Sequence, residues 1–177
     1  YYFEHKRQQS ESMKGVLKIM PELFKEFEKT FGAKYDFIDT YKLDDADIAI
    51  VALSSTAGTA RGVVDALRKE GVKAGLLRPR VFRPFPREKI LGALKNVKAV
   101  AVLDRAESFS AEGGPLYTEI KAALYDSGIK PLVTNYIYGL GGRDIFPDDI
   151  KKVYFDLSAA LKNKKVSNPI NYLGSRE

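Results

Sequence analysis

The sequence contains no cysteine and a single histidine, His5. Without cysteine, the chain cannot form disulfides or provide thiolate nucleophiles, and it cannot hold a cysteine-bound zinc ion or iron–sulfur cluster. We expect His5 to be exposed, because it lies in a charged segment near the start. A histidine-based metal site and a Ser-His-Asp triad are therefore not expected. No catalytic residue and no metal ligand are predicted.

Long hydrophobic runs are also missing. The run 48–53 is far shorter than the roughly 20 apolar residues that a membrane-spanning helix needs, so we predict a soluble protein with no membrane contact. The expected location is the cytoplasm. The opening segment 1–9 lacks the apolar core and cleavage site of a signal peptide. Because Tyr1 stands where an initiator methionine would, we interpret the chain as a piece of a longer protein.

The charge is moderately basic. There are 29 lysines and arginines against 23 acidic residues, a formal charge of +6. A nucleic-acid-binding surface would need these basic residues to cluster, but they are mostly dispersed. The densest group is the lysines of 162–165, which we interpret as the exposed end of a helix. No nucleic-acid partner is predicted.

Apolar spacing predicts alternating strands and helices. Segment 11–31 has an amphipathic helical pattern that Pro21 should kink or divide, and 35–41 is predicted to be an edge strand or an extended connector. Further strands are predicted at 48–53, 72–77, 97–103 and 131–136, and further helices at 63–69, 88–94, 116–125 and 148–161. This alternation favours an α/β fold with three layers, in which helices cover both faces of a mostly parallel sheet.

Loops at the carboxyl ends of the predicted strands carry the chemically distinctive residues, which is where open α/β sheets present ligand contacts. Segment 54–59, Ser-Ser-Thr-Ala-Gly-Thr, could hold an anion at a helix start, but it lacks a glycine-rich phosphate motif. We therefore predict that it caps the helix. Segment 78–87 places four arginines and three prolines in a stiff loop, which suits either an anion or a subunit interface.

Two further loops combine charge with glycine. Asp104 and Arg105 follow the most apolar strand, precede Gly113 and Gly114, and are expected to pair with neighbouring groups. The segment 139–144 contains Gly142 and Arg143 and precedes the last predicted helix. Glycine allows positive φ angles and close backbone approach, so both loops could have a purely structural role.

Five segments, in order, resemble the carboxyl-terminal part of the α subunit of pyruvate and related 2-oxoacid:ferredoxin oxidoreductases. They are Ala46–Val51, Gly75–Pro86, Val102–Arg105, Gly113–Leu116 and Gly139–Asp144. The resemblance covers about 46–149, with a weaker likeness at 31–35. It departs from the family pattern at Ser54 and at Ser110-Ala111, where glycines are expected.

The resemblance implies a domain like the carboxyl-terminal domain of transketolase, extending over 46–163, with a helical lead-in and connector at 1–45 and a tail at 164–177. It implies a parent enzyme that oxidatively decarboxylates a 2-oxoacid, in the first place pyruvate, to acyl-coenzyme A. The parent would use thiamine diphosphate, magnesium, iron–sulfur clusters and coenzyme A, with none of them bound by this chain alone. Its partners would be the other domains and subunits of the oxidoreductase and, through the complex, ferredoxin.

On this reading the chain is an assembly domain, inactive in isolation. The residues predicted to shape loops or interfaces are Arg80, Arg83, Asp104, Arg105, Gly113, Gly114, Gly142 and Arg143. Two alternatives remain open at this point. One is a dimerisation domain of a transketolase or of a 2-oxoacid dehydrogenase β-type thiamine enzyme. The other is a stand-alone anion-binding module that uses the arginine loop and the 54–59 turn.

Overall fold

The computed structural model describes residues 1–176, in which six strands form one sheet. The strands are β1 Ile38–Tyr41, β2 Ile48–Ala52, β3 Ala74–Pro79, β4 Ala99–Asp104, β5 Leu132–Ile137 and β6 Ile170–Tyr172. Their order in the sheet is β1-β3-β2-β4-β5-β6. β1 is antiparallel to β3, and every other neighbouring pair is parallel.

Five helices accompany the sheet in the described residues: α1 Tyr2–Phe31, α2 Ser54–Lys69, α3 Arg87–Leu94, α4 Pro115–Tyr125 and α5 Pro147–Asn163. α2 and α5 pack on one face, where they form one hydrophobic cluster with side chains of the strands. α3 and α4 pack on the other face in a second cluster. The predicted three-layer α/β architecture is confirmed.

The two central strands are buried along their whole length. Their sequences, Ile-Ala-Ile-Val-Ala and Ala-Val-Ala-Val-Leu-Asp, are continuous apolar runs apart from the final aspartate. Such runs are typical of parallel strands that have helices on both faces. Each strand predicted from 48 to 136 is present, with bounds that shift by no more than about two residues at either end.

The ends of the chain differ from the sequence prediction. α1 begins at Tyr2 and runs as one helix through Pro21, so proline does not divide it. None of its residues is buried. At the other end, the segment predicted to be a tail contains β6, which pairs in parallel with β5. The segment 35–41 does contain an edge strand, as expected.

No helix in residues 1–176 is both long and apolar enough to cross a membrane. α1 has the length, but charged side chains interrupt it throughout. His5 is exposed on α1.

Candidate functional site at the carboxyl ends of the parallel strands

Asp104 is the last residue of β4, and its carboxyl group holds the start of α4. The side chain is buried, with 3% exposure. Its Oδ1 accepts a hydrogen bond from the backbone N–H of Leu116 at 2.8 Å, and its Oδ2 accepts one from that of Tyr117 at 3.1 Å. The first N–H groups of a helix have no partner within the helix. Asp104 therefore caps α4, although it lies twelve residues before Leu116 and not directly before the helix.

Two glycines let the α4 start approach Asp104 this closely. A Cβ atom on Gly114 would lie 2.3 Å from Asp104 Cγ, and one on Gly113 would lie 2.4 Å from Asn135 Oδ1. Gly113 also has a φ of +60°, a left-handed conformation that side chains disfavour. Any residue with a side chain at either position would push the helix away from the strand ends.

Asn135 completes the network from the neighbouring strand β5. It is fully buried. Its Nδ2 donates to Val102 O at 2.8 Å and to Asp104 Oδ2 at 2.9 Å, and its Oδ1 accepts from the N–H of Gly114 at 2.9 Å. The sequence prediction missed this residue. Asparagine is depleted in strands, so its presence in the run Leu-Val-Thr-Asn-Tyr-Ile was the signal that could have identified it.

Burial raises the pKa of the Asp104 carboxyl above its ordinary value. The hydrogen bonds from the N–H groups of Leu116 and Tyr117 and from Asn135 offset part of that rise. A raised carboxyl pKa in a cleft is often a catalytic signature. Here, however, both oxygens already accept hydrogen bonds from groups of the chain itself, so the geometry is that of a structural clamp.

Arg105, the next residue, is exposed and turns to the adjacent loop. Its Nε donates to Gly139 O at 3.2 Å. A cavity of about 220 Å³ lies beside Asp104 and Arg105, against the start of α2 and the residues that follow β5. In its wall, the buried hydroxyls of Thr56 and Tyr138 are hydrogen-bonded to each other at 2.6 Å.

The segment 54–59 does not cap a helix, so that prediction was wrong. It forms the first part of α2, the N-cap residue is Leu53, and no side chain makes the capping hydrogen bond. Ser54 has a φ of 54°, in the left-handed region. That conformation favours glycine. This explains why a glycine was expected at this position, where the chain has a serine.

Gly142 and Arg143 lie on the neighbouring loop after β5. Gly142 adopts a φ of +81°, and a Cβ atom there would meet no other atom within 4 Å. The guanidinium group of Arg143 donates to the carbonyl of Gly174, just beyond β6. Arg143 thus connects the β5 loop to the segment that follows the last strand.

The two predicted arginines of the 78–87 loop lie apart from this network and from each other. Arg83 donates to Glu119 of α4 at 2.7 Å and to Phe82 O at 2.9 Å. Arg80 lies 3.4 Å from Asp39 of β1. The structure therefore brings together Asp104, Gly113 and Gly114 and places Arg80 and Arg83 elsewhere. It links Arg105 to the loop after β5, and Arg143 of that loop to Gly174.

No group of three or more histidine, aspartate or glutamate side chains in residues 1–176 is arranged to hold a metal ion. Asp104 has Asn135 and backbone N–H groups around it, all of which are donors. At the carboxyl ends of the strands, most polar groups therefore form hydrogen bonds with other groups of the chain.

Comparison with known proteins identifies the family. Residues 46–150 match the family described as pyruvate:ferredoxin oxidoreductase core domain II. The chain belongs to this family. The matched range begins before β2 and ends inside α5, so it contains the Asp104 network, Arg80 and Arg83, and the loop of Gly142 and Arg143.

Two curated relatives extend the similarity beyond the core domain II range. The chain is 50% identical over its whole length to pyruvate synthase subunit PorA of Thermotoga maritima, of which it covers 44%. It is 39% identical over 97% of its length to ketoisovalerate oxidoreductase subunit VorA of Pyrococcus horikoshii, of which it covers 43%. The chain thus spans less than half the length of each relative.

A solved structure supports the fold alone. The 2-oxoglutarate:ferredoxin oxidoreductase of Magnetococcus marinus aligns with a TM-score of 0.50 and 20% identity, over 73% of this chain and 20% of that one. The resemblance inferred from the five sequence segments is confirmed by the core domain II match. The division into 1–45, 46–163 and 164–177 stays a prediction, although β1 and β6, the two edge strands, come from the flanking segments.

Proposed function

We propose that this chain is a non-catalytic assembly domain of a 2-oxoacid:ferredoxin oxidoreductase, an enzyme that oxidatively decarboxylates the oxoacid to acyl-coenzyme A. Pyruvate is the proposed substrate, since the chain is 50% identical over its whole length to a pyruvate synthase subunit, while identity to ketoisovalerate subunits reaches 46% over 75% of the chain. The proposed partners are the other domains and subunits of that enzyme and, through the complex, ferredoxin. The predicted cytoplasmic location stays a prediction.

One observation carries this proposal: the carboxylate and guanidinium groups that could act on a substrate are hydrogen-bonded to other groups of the chain. The Asp104 carboxyl accepts three hydrogen bonds from α4 and Asn135. A general base needs a lone pair directed at the substrate. Arg83 and Arg143 are likewise bonded to acceptors of the chain. These residues are suited to position loops against a neighbouring polypeptide.

Two cofactors of the proposed parent enzyme, the iron–sulfur clusters and the magnesium ion, do not fit this chain. Iron–sulfur clusters are held by cysteine thiolates, and the sequence has no cysteine. The magnesium ion that accompanies thiamine diphosphate prefers several oxygen ligands, and residues 1–176 present no acidic cluster for it. Other polypeptide in the enzyme would therefore bind these groups.

Neither sequence-based alternative gains support. The match to core domain II favours the ferredoxin-linked enzymes over a transketolase or a 2-oxoacid dehydrogenase. A stand-alone anion-binding module would need the arginine loop and the 54–59 turn to form one site. Arg83 instead pairs with Glu119, and the serines and threonines of 54–59 belong to α2.

The test is to assemble the oxidoreductase with wild-type chain or with Gly114→Ala, which disturbs the α4 start. We expect Gly114→Ala to lower the yield of assembled complex in size-exclusion chromatography, while turnover per assembled complex stays within about twofold. The matched control is Gly62→Ala, on the exposed side of α2 with no atom near the added Cβ. Unchanged assembly with a large loss of turnover per complex would contradict an assembly role.

A further inference from the structure

Asp39 of the edge strand β1 is surrounded by three arginines. Its Oδ2 lies 2.6 Å from a guanidinium nitrogen of Arg61, 2.9 Å from one of Arg78 and 3.4 Å from one of Arg80. The Asp39 side chain is 20% exposed, and those of the arginines are between 24% and 42% exposed. We name these four residues the Asp39 cluster.

Strand β3, the residue after it and helix α2 bring these arginines to one oxygen atom. Arg78 lies directly opposite Asp39 in the antiparallel pairing of β1 with β3. Arg80 follows the end of β3, and Arg61 extends from α2. A single arginine opposite Asp39 would be enough for a cross-strand ion pair. The other two add positive charge that the fold does not require for that pair.

The Asp39 cluster therefore has more cations than anions. Three guanidinium groups face one carboxylate, which leaves a net charge of +2. The adjacent carboxylate, Asp65, does not correct this, because it pairs with Lys42 at 2.5 Å and accepts a hydrogen bond from Tyr41 at 2.8 Å. Like charges this close repel each other, so a second anion would lower the free energy of the cluster.

Aromatic side chains hold the guanidinium groups in place. The Arg61 guanidinium lies 5.1 Å from the ring centroid of Tyr41, and that of Arg80 lies 4.6 Å from the ring centroid of Tyr35. Both distances are within the range of cation–π contacts. Arginines stacked in this way lose less conformational freedom when they bind an anion.

The surface continues from the Asp39 cluster onto α1. The ring of Tyr35 contacts that of Phe27 edge to face, with centroids 5.2 Å apart, and Phe27 contacts Phe31 at 4.6 Å. Tyr35, Phe27 and Phe31 are 40%, 40% and 68% exposed. Arginine and aromatic residues are enriched where protein partners bind most strongly. An apolar surface of this kind beside the cations is suited to a polypeptide.

We propose that the Asp39 cluster is a docking site for an acidic segment of another protein, whose carboxylates bind Arg80 and Arg61 while its apolar neighbours cover Tyr35 and Phe27. This goes beyond the assembly role, since it names a surface and the chemistry of its partner. It does not depend on the oxidoreductase assignment, because the chain alone can be tested for binding.

The probe is a fluorescein-labelled hexaglutamate peptide, with binding to the chain followed by fluorescence anisotropy at low salt. We expect Arg80→Gln to weaken binding at least fivefold. Arg80 is chosen because it is the arginine farthest from Asp39 and therefore the least needed for the fold. The matched control is Arg87→Gln at the first residue of α3, where the arginine pairs with Glu88 and donates to Ala123 O outside the cluster; it should change binding less than twofold.

Two competitors distinguish the source of the anion. Pyrophosphate and a decathymidylate oligonucleotide should displace the peptide only weakly. If either binds more tightly than hexaglutamate with the same dependence on Arg80, the site is for phosphate or nucleic acid and the proposal is wrong. Equal losses with Arg80→Gln and Arg87→Gln would also overturn it, because binding would then reflect net charge alone.

A second variant tests the charge excess through the melting temperature, which a ligand raises in proportion to its binding to the folded state. Asp39→Asn removes the central carboxylate and leaves three guanidinium groups together. Hexaglutamate should raise the melting temperature of Asp39→Asn more than that of the wild type. An equal shift for both proteins would contradict the proposal. If Asp39→Asn does not fold without the peptide, recovery of a folding transition when the peptide is added is the supporting result, and no recovery is the contradicting one.

Discussion

Gly114→Ala is the substitution for which the structure predicts the clearest consequence. The added Cβ would lie 2.3 Å from Asp104 Cγ and 2.7 Å from its Oδ2, distances that no packed protein tolerates. The backbone at Gly114 has φ −79° and ψ 169°, which alanine adopts freely. The effect therefore isolates the steric contact. Since Asp104 is fixed at the end of a buried strand, the α4 start must move.

The magnitude follows from two contributions. Overpacking of a buried site costs about 1–3 kcal/mol. Displacing α4 also weakens hydrogen bonds from Leu116 and Tyr117 to Asp104, at about 1 kcal/mol each. A total of about 3–5 kcal/mol corresponds to a fall in melting temperature of roughly 6–20 °C for a domain of this size.

The assay is thermal unfolding followed by circular dichroism at 222 nm. Gly62→Ala is the control, because its Cβ meets no atom within 4 Å and it lies within α2. There alanine should stabilise the helix by about 0.5–1 kcal/mol. If Gly114→Ala melts at the wild-type temperature or above it, the account of the Asp104 network is wrong.

Two further predictions concern buried polar groups. Because burial raises the pKa of Asp104 in the folded state, the stability that its carboxyl contributes is fully present below its unfolded pKa and is lost as pH rises through the folded pKa. Urea unfolding should therefore show a larger difference between wild type and Asp104→Asn in acid than at neutral pH, and a difference that grows with pH would refute this. Tyr154 is fully buried and donates to Gly75 O at 2.8 Å, so Tyr154→Phe should cost about 1 kcal/mol; the exposed Tyr125→Phe is the control, and equal stability of the two variants would exclude a contribution from this hydrogen bond.

The central part of the fold was predictable because its signals are local. Continuous apolar runs identified β2 and β4, and the spacing of apolar residues identified the helices that cover them. A continuous apolar run indicates a strand buried on both faces, and a helical spacing of apolar residues indicates a helix buried on one face. The prediction placed each strand from β2 to β5 to within about two residues.

The ends of the sheet were less predictable because they depend on distant partners. β6 has only three residues, and it forms because the backbone N–H of Asn135 donates to Pro169 O and the strand then continues along β5. No pattern within 164–177 predicts that pairing.

The start of α1 was predicted too late in the chain. Its first turns have few apolar residues, so no helical period is visible there, although the helix begins at Tyr2.

The candidate site was predictable only in part for a similar reason. The sequence drew attention to Asp104 and to Gly113 and Gly114, but not to Asn135, which joins them from the next strand. It also singled out the arginines of one loop without indicating Asp39, which lies on β1 at the far edge of the sheet. Such groupings arise from strand order, which a local pattern does not specify.

The claim that this chain positions active centres held by other polypeptide is tested most directly by turnover of the assembled oxidoreductase with Asp104→Asn. The measurement is pyruvate-dependent reduction of a viologen dye, divided by the amount of complex recovered. Because we infer that the Asp104 carboxyl holds α4 and does not transfer protons, turnover per complex should stay within about twofold of wild type. Loss of a general acid or base typically costs about 10²–10⁴-fold. A fall of that size in a fully assembled complex would contradict the account.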